Sequence, residues 1–305
     1  MEICVQCNGP RELYGTDRAY EIIKKAGFDA VDVGFDDMAT MEQVKALQVD
    51  ERWLRKGDDF DMNMFREFKE ASRKYGLDNF QAHSPFPSLV FEGDEAYNDG
   101  LLEMLKKSIA ACDYIDCRNL VIHPFYYSFE HAMDAETEKK VNIERFSMLI
   151  PTARKYGITI LLENLFSKYN NKRYEACCSN IDTACWYIDE LNRIAGQEMF
   201  GFCMDTGHLH LLGKDQYATM VKLGKRIKAF HVHDNDGNSD QHVAPYMGTI
   251  IWNRFIQGLH DIGFNSTLDF ETFNVWTKMD PEVAENMMKV IAETGRMFAR
   301  RAGLE

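Results

Sequence analysis

Residues 227–234 read IKAFHVHD, an apolar run that ends on ionisable side chains. The same pattern returns as NLVIHP (119–124), ITILLEN (158–164), GFCMDTGH (201–208) and TLDFET (267–272). A short apolar run bounded by polar residues predicts a buried β-strand. Polar side chains at the carboxyl ends of barrel strands lie together at the catalytic face. The repetition therefore predicts one site that is assembled from the ends of several parallel strands.

Strand-like runs alternate with amphipathic helical patterns along the whole chain. The predicted strands begin near Ile3, Ala30, Asn79, Asn119, Ile158, Phe200, Ile227 and Thr267. Residues 101–114 and 141–156 carry helical patterns between strands, and residues 281–301 should form a closing helix. Eight strand–helix units in 305 residues match the size of a (β/α)8 barrel. We therefore predict an α/β fold, a single (β/α)8 TIM barrel that forms one domain over residues 1–305.

A doubly wound sheet would alternate in the same way, but no G-x-G-x-x-G motif follows the first strand. No Pro-, Gly- or Ser-rich linker divides the chain. Longer polar stretches follow the predicted strands at residues 36–60, 84–95, 167–180 and 234–248. In a barrel these stretches should lie together at the catalytic rim.

The composition limits the class of partner and the compartment. With 48 acidic and 35 basic residues, the formal net charge is −13. Binding to nucleic acid usually needs a basic surface that neutralises phosphates, so we expect no such partner unless one local basic groove exists. The N-terminal residues show no secretory pattern, and no apolar run is long enough for a transmembrane helix. Eight cysteines without an export signal indicate reduced thiols, so we expect a cytoplasmic protein.

Three carboxylates stand at predicted strand ends and should converge in the mouth of the barrel: Glu163, Asp205 and Glu271. Like charges this close either raise each other's pKa values or hold a cation between them. His231, at the end of IKAFH, adds a neutral nitrogen. Together these four residues form a set that suits Mn²⁺, Zn²⁺, Co²⁺ or Mg²⁺.

A second group of candidates surrounds these four residues: His83, His123, His208, Asp240 and His242. Imidazole is the commonest metal ligand, although most buried histidines are structural. Asp240 and His242 are two residues apart, so an extended segment would point both to one side.

At these residues the chain resembles the xylose isomerase-like TIM barrels, which include sugar isomerases, sugar epimerases and zinc-dependent AP endonucleases. The resemblance covers essentially the whole chain and is most specific in LLEN (161–164), MDTGH (204–208) and HVHDNDGNSDQHVAPYMGTIIW (231–252). In the sugar enzymes, the single-metal set matches Glu163, Asp205, His231 and Glu271, and His208 matches a substrate contact. The three-zinc endonuclease cluster would add His83 and His123 beside Glu163, and a third site of His208, Asp240 and His242. The resemblance thus implies one to three divalent ions per chain, and we expect Zn²⁺ or Mn²⁺.

Two local departures favour the sugar-enzyme branch. Residues 165–169 (LFSKY) replace the small, glycine-rich stretch of the endonucleases, and Gly207 replaces an endonuclease-type cysteine. The DNDG segment at 234–237 is typical of the sugar enzymes.

Two neighbouring pairs leave the choice of ligand open. His231 and His233 are two residues apart and would face the same way in a strand, as would Asp269 and Glu271. The resemblance selects His231 and Glu271. For His233 it leaves two alternatives, a residue that contacts a metal ligand or a residue that contacts the substrate.

The sequence therefore predicts a metal-dependent isomerase or epimerase of carbohydrate metabolism that acts on a small sugar or sugar derivative through an enediolate. Glu163 or Glu271 would move the proton, and His208 would orient or protonate a substrate oxygen. The alternatives are a zinc-cluster phosphoesterase, a lyase or dehydratase acting on a keto-sugar or inosose, and a non-catalytic metal-binding barrel. The resemblance also allows a homo-oligomer, because related sugar enzymes are often dimers or tetramers.

Overall fold

The computed structural model describes residues 1–35, 39–49, 53, 61–128, 133–170 and 172–304. Among them, eight strands of one parallel sheet alternate with helices: β1 (Ile3–Gln6), β2 (Ala30–Gly34), β3 (Asp78–His83), β4 (Asn119–Val121), β5 (Thr159–Glu163), β8 (Phe200–Asp205), β9 (Ile227–His231) and β10 (Leu268–Phe270). Each begins within one residue of its predicted start. The predicted (β/α)8 TIM barrel is confirmed. Most of the polar stretch at 36–60 lies outside the described residues.

The α-helices of the described chain are Asn8–Tyr14, Thr16–Ala26, Met41–Lys45, Arg66–Tyr75, Glu95–Tyr114, Ala135–Ser147, Ile150–Tyr156, Ile181–Ala195, Thr206–Leu211, Gln216–Leu223, Trp252–Asp261, Asn274–Lys278 and Pro281–Arg301. Short 3-10 helices span Met62–Phe65 and Gly224–Arg226. Gly27 and Gly157 end their helices with φ values of 101° and 66°, the left-handed conformation that glycine adopts without strain. None of the described helices is both long and apolar enough to cross a bilayer.

One compact unit comprises Met1–Val33, Glu67–Phe80 and Phe202–Glu305. Within it, β1 lies between β10 and β2 and runs parallel to both. Strand β9 pairs in parallel with β8, and a bridge after its end connects it to β10. The register sets Asp205 directly beside His231 at the ends of β8 and β9. Two of the predicted site residues are therefore neighbours because of the sheet itself.

The other compact unit comprises Gly34–Arg66 and Gln81–Gly201. Strand β4 lies between β3 and β5 and runs parallel to both. His83 ends β3, Glu163 ends β5, and His123 follows β4 by two residues. The three side chains therefore leave the same edge of this part of the sheet.

The core lies between the strands and the helices that cover them. Phe230 of β9 packs against Phe255 and Phe264, with ring centroids 5.2 Å and 4.8 Å away. In the other unit, Phe125 and Phe146 pack at 5.1 Å. Aromatic side chains bury about 150–250 Å² each, so such clusters hold the helices on the strands.

The structure corrects two features of the sequence-based assignment. The helical pattern at 141–156 is not one helix, because Ala135–Ser147 ends before a second helix, Ile150–Tyr156, begins. Pro151 lies in the first turn of that second helix, where its missing N–H is not needed, whereas it would break a continuous helix. The polar stretch at 167–180 is not purely loop, since β6 (Phe166–Tyr169) and β7 (Lys172–Glu175) form an antiparallel hairpin.

Candidate functional site

Asp205, His231 and Glu271 converge at the ends of their strands. His231 Nδ1 lies 3.9 Å from Asp205 Oδ2 and 3.6 Å from Glu271 Oε2. All three side chains are buried, and Glu271 is the most exposed at 8%. Two carboxylates and an imidazole nitrogen at this spacing, shielded from water, form a donor set that suits a divalent cation. The residues therefore fit the metal that the sequence predicts.

Asp205 is held from several sides. It is the N-cap of the helix Thr206–Leu211, where its Oδ1 accepts a 2.6 Å hydrogen bond from the backbone N–H of His208. His233 Nε2 lies 3.1 Å from Oδ1 and 3.0 Å from Oδ2 of the same carboxylate. The strand end, the helix cap and a second histidine thus fix the carboxylate of Asp205 together.

Glu271 is oriented by an amide and an imidazole. The Nε2 group of Gln6 donates to Glu271 Oε1 at 3.2 Å, and His242 Nδ1 lies 3.2 Å from Glu271 Oε2. The two carboxylate oxygens therefore have different surroundings. Oε2 faces the imidazoles of His231 and His242, and Oε1 faces the buried amide.

His208, Asp240 and His242 form a second group, which also includes His233. Asp240 Oδ2 lies 3.4 Å from His208 Nε2 and 3.0 Å from His242 Nε2. Burial lowers the pKa of His242, but the Glu271 and Asp240 carboxylates more than offset this and raise it to about 10. Burial would raise the pKa of Asp240, yet the imidazoles of His208 and His242 hold that pKa well below its usual range. The carboxylates thus create a negative potential that attracts positive charge to this group.

Asp269 and Asp32 lie on the other side of His231. All three are fully buried, and His231 Nε2 is 3.8 Å from Asp32 Oδ2. Burial and the neighbouring Asp32 charge raise the pKa of Asp269 well above its usual range. Of the pair that the sequence left open, Glu271 therefore shares the Asp205 side of His231, and Asp269 lies with Asp32.

His83, His123 and Glu163 form a group within the other unit. Glu163 Oε2 lies 3.3 Å from His123 Nε2 and 3.7 Å from His83 Nε2. The backbone carbonyl of Ser84 lies 2.7 Å from His83 Nδ1, so Nδ1 carries the hydrogen. The lone pair of His83 is then on Nε2, the atom that faces the other two residues. Such a carbonyl behind a histidine is typical of metal-ligating imidazoles.

The structure thus gathers predicted site residues within each of the two compact units, nine residues in all. One unit gathers Asp205, His208, His231, Asp240, His242 and Glu271, and the other gathers His83, His123 and Glu163. His210, which is not among the predicted site residues, contacts Thr249 Oγ1 at 2.8 Å.

The sequence reasoning missed two polar residues of the strands, Gln6 and Asp32. Gln6 is the last residue of β1, and Asp32 interrupts the apolar run of β2. The rule that singled out Glu163, a polar residue at the end of an apolar run, applies equally to Gln6.

A third missed residue, Asp234, organises the loop that carries Asp240 and His242. Its buried carboxylate accepts hydrogen bonds from the backbone N–H groups of Asn235, Tyr246 and Ile250 and from Trp252 Nε1, at 2.9–3.1 Å. These four hydrogen bonds connect both ends of the loop to the same carboxylate.

This chain is similar in sequence to several curated proteins. The inosose isomerase of Bacillus velezensis is 24% identical over 281 residues, which cover 85% of this chain and 94% of that protein. The uncharacterized protein y4fM of Sinorhizobium fredii is 24% identical over 158 residues, and this match spans 42% of its length.

Solved structures share the fold. A D-tagatose 3-epimerase-like protein superimposes with a TM-score of 0.73 at 17% identity, with 98% of each chain covered. The IolI protein, solved with a zinc atom, superimposes with a TM-score of 0.67 at 17% identity, with 99% of this chain and 98% of that one covered. A family model described as xylose isomerase-like TIM barrel matches residues 20–294. This chain therefore belongs to the xylose isomerase-like TIM barrel family.

Proposed function

We propose that this protein is a divalent-metal-dependent isomerase or epimerase that moves a proton beside the carbonyl group of a small sugar or sugar derivative. The observation that carries the proposal is the buried convergence of Asp205, His231 and Glu271 at the ends of β8, β9 and β10. The similar proteins that are named for inosose isomerisation and for sugar epimerisation support the same chemistry.

In this proposal, Asp205, His231 and Glu271 hold the cation, and Glu163 joins them on the strength of the sequence resemblance. Such a cation supplies Lewis-acid stabilisation of negative charge on the substrate oxygens, worth several kcal/mol. Metal ligation and proton transfer compete for the same carboxylate oxygens, so the base must keep one oxygen available. In Glu271, Oε2 faces the imidazoles, and the Gln6 amide orients Oε1. We therefore assign proton abstraction to Glu271 Oε1.

Two other residues complete the proposed chemistry. Glu163, protonated at the start of the reaction, would donate its own proton to the carbon from which Glu271 has taken one. His208 is 8% exposed, and both of its ring nitrogens lie near carboxylates, Nδ1 near Asp205 and Nε2 near Asp240. An imidazole held in this way can orient a sugar hydroxyl or donate a proton to it.

The test uses D-tagatose and an inosose, after the names of two similar proteins, together with D-allulose as a further ketohexose. Purified protein is reconstituted separately with Mn²⁺, Co²⁺ and Zn²⁺ and incubated with D-tagatose, D-allulose and an inosose, and ¹³C NMR follows the formation of new isomers. We expect conversion of at least one of them. Metal-loaded protein that converts none of these substrates, and exchanges no hydrogen into them from solvent, would contradict the proposal.

A zinc-cluster phosphoesterase is the second candidate. It is favoured by the other two groups of donors, His83–His123–Glu163 and His208–Asp240–His242, which also gather side chains at ligand spacing. The net charge of −13 opposes it, because a nucleic-acid substrate would be repelled.

Metal content separates the two candidates. We expect elemental analysis of protein purified without added metal to give about one divalent ion per chain, either manganese or zinc. Close to three zincs per chain, together with cleavage of abasic DNA, would instead establish the phosphoesterase.

The proposal also includes a cytoplasmic location, a sugar rather than nucleic acid as partner, and assembly into a homo-oligomer.

A further inference from the structure

His233 is placed with unusual precision for a residue outside the proposed ligand set. The side chain is fully buried. Its backbone N–H donates to Thr206 Oγ1 at 3.0 Å, and that hydroxyl donates to the His233 carbonyl at 2.8 Å. Its ring stacks on His242 at a centroid distance of 3.9 Å and an interplanar angle of 12°. The imidazole is therefore fixed in position and in tilt.

The fixed ring points its Nε2 at Asp205. Both carboxylate oxygens lie within hydrogen-bond distance, at 3.1 Å and 3.0 Å. Because an ionised carboxylate only accepts hydrogen bonds, Nε2 must carry the hydrogen in this contact. A nitrogen that donates its hydrogen has no lone pair for a metal, so this geometry describes a support for a ligand.

Gly207 makes this arrangement possible. A Cβ atom at position 207 would lie 2.5 Å from Nδ1 and 2.6 Å from Nε2 of His233. Atoms of a real side chain do not approach a rigid ring this closely, so any other residue at 207 would displace the imidazole. Asp205 and Gly207 belong to the same strand–helix turn, and this turn accepts the ring only because it lacks a side chain there.

We propose that His233 is a positioning residue that orients the carboxylate of Asp205 for the metal, and that Gly207 provides the space it needs. The inference rests on the proposed function in that Asp205 is taken as a ligand. A carboxylate held in one orientation before the metal arrives loses less conformational entropy on binding. Mutation of a residue that supports a metal ligand typically lowers metal affinity or activity by about 10–100-fold.

The experiment measures metal affinity and needs no sugar. Dissociation constants for Mn²⁺ and Zn²⁺ are obtained by competition with a chromophoric chelator, and stoichiometry by elemental analysis. His233→Ala should weaken binding about 10–100-fold with the number of ions unchanged. His233→Gln keeps an N–H donor in nearly the same place and should recover most of the affinity. His260→Gln is the matched control, because His260 contacts the Ala302 carbonyl at the far end of the chain and should bind metal as the unmodified protein does.

A double-mutant cycle tests the role of Gly207. Gly207→Ala alone should weaken metal binding by displacing the imidazole, as His233→Ala does. In the His233→Ala background there is no ring to displace, so adding Gly207→Ala should change the affinity by less than about twofold. The double variant also relieves the clash, which keeps the test usable if Gly207→Ala alone fails to fold.

Two results would overturn the inference. Unchanged affinity in a folded His233→Ala variant would mean that Asp205 needs no support from this ring. A loss of bound ions that His233→Gln does not restore would make His233 a ligand. If the affinities follow the expected pattern but no sugar is converted, the proposed function fails while the positioning role stands.

Discussion

In D2O, the metal-loaded protein should exchange the hydrogen beside the carbonyl of its sugar with solvent deuterium, and Glu271→Gln should slow this exchange about 10²–10⁴-fold. The amide keeps the shape of the side chain but cannot take up the proton. Gln6 still lies beside the residue, so the site should keep its form. Proton NMR of the recovered sugar measures the exchange directly, even where no net conversion is visible.

Glu163→Gln should have an effect of the same order, because it removes the second carboxylate of the proposed proton path. Glu293→Gln, in the helix Pro281–Arg301, is a suitable control and should exchange at the unmodified rate. Elemental analysis of each variant separates loss of the base from loss of the metal. Hydrogen exchange that persists in both the Glu163 and Glu271 variants would contradict the proposed mechanism.

Asp234→Ala should destabilise the protein by about 3 kcal/mol or more, since three of the donors are buried and each one left without an acceptor costs about 1–3 kcal/mol. The substitution removes the acceptor of the backbone N–H groups of Asn235, Tyr246 and Ile250 and of the indole N–H of Trp252. The apparent unfolding midpoint in urea, compared at a fixed protein concentration and incubation time, measures the effect.

Asp236→Ala is the matched control in the same loop. Asp236 accepts bonds from Asn238 and Ser239 but is exposed, so its loss should cost less than about 1 kcal/mol. An Asp234→Ala variant that is no less stable than Asp236→Ala would show that water replaces the lost acceptor at no cost.

The strand positions were readable from the sequence because most of the strands are short apolar runs that end at or near a polar residue. The ends of β5, β8 and β9 gave Glu163, Asp205 and His231 directly. Helix boundaries were less readable where two helices follow each other, and only Pro151 marks the break after Ser147. The β6–β7 hairpin was missed because its polar residues read as loop, although Asn170 takes a left-handed conformation (φ 48°) that tight hairpin turns favour.

The roles of neighbouring residues could not be read from spacing alone. His231 and His233 both reach Asp205 Oδ2, at 3.9 Å and 3.0 Å, so the two-residue period that placed them on one side could not divide their tasks. Gln6 and Asp234 act on side chains far away along the chain. Contacts of that kind leave no local pattern, because each partner by itself is an ordinary polar residue.

The close approach of Gly207 to the His233 ring also restricts the order in which the two positions can change during evolution. A histidine introduced at 233 beside any larger residue at 207 would meet an occupied space. A glycine introduced first leaves a small gap and is tolerated. We therefore expect lineages with this histidine to have acquired the glycine first, and position 207 to remain glycine for as long as position 233 is histidine. The pair should consequently behave as one inherited character among related sequences, with His233 present only where position 207 is glycine.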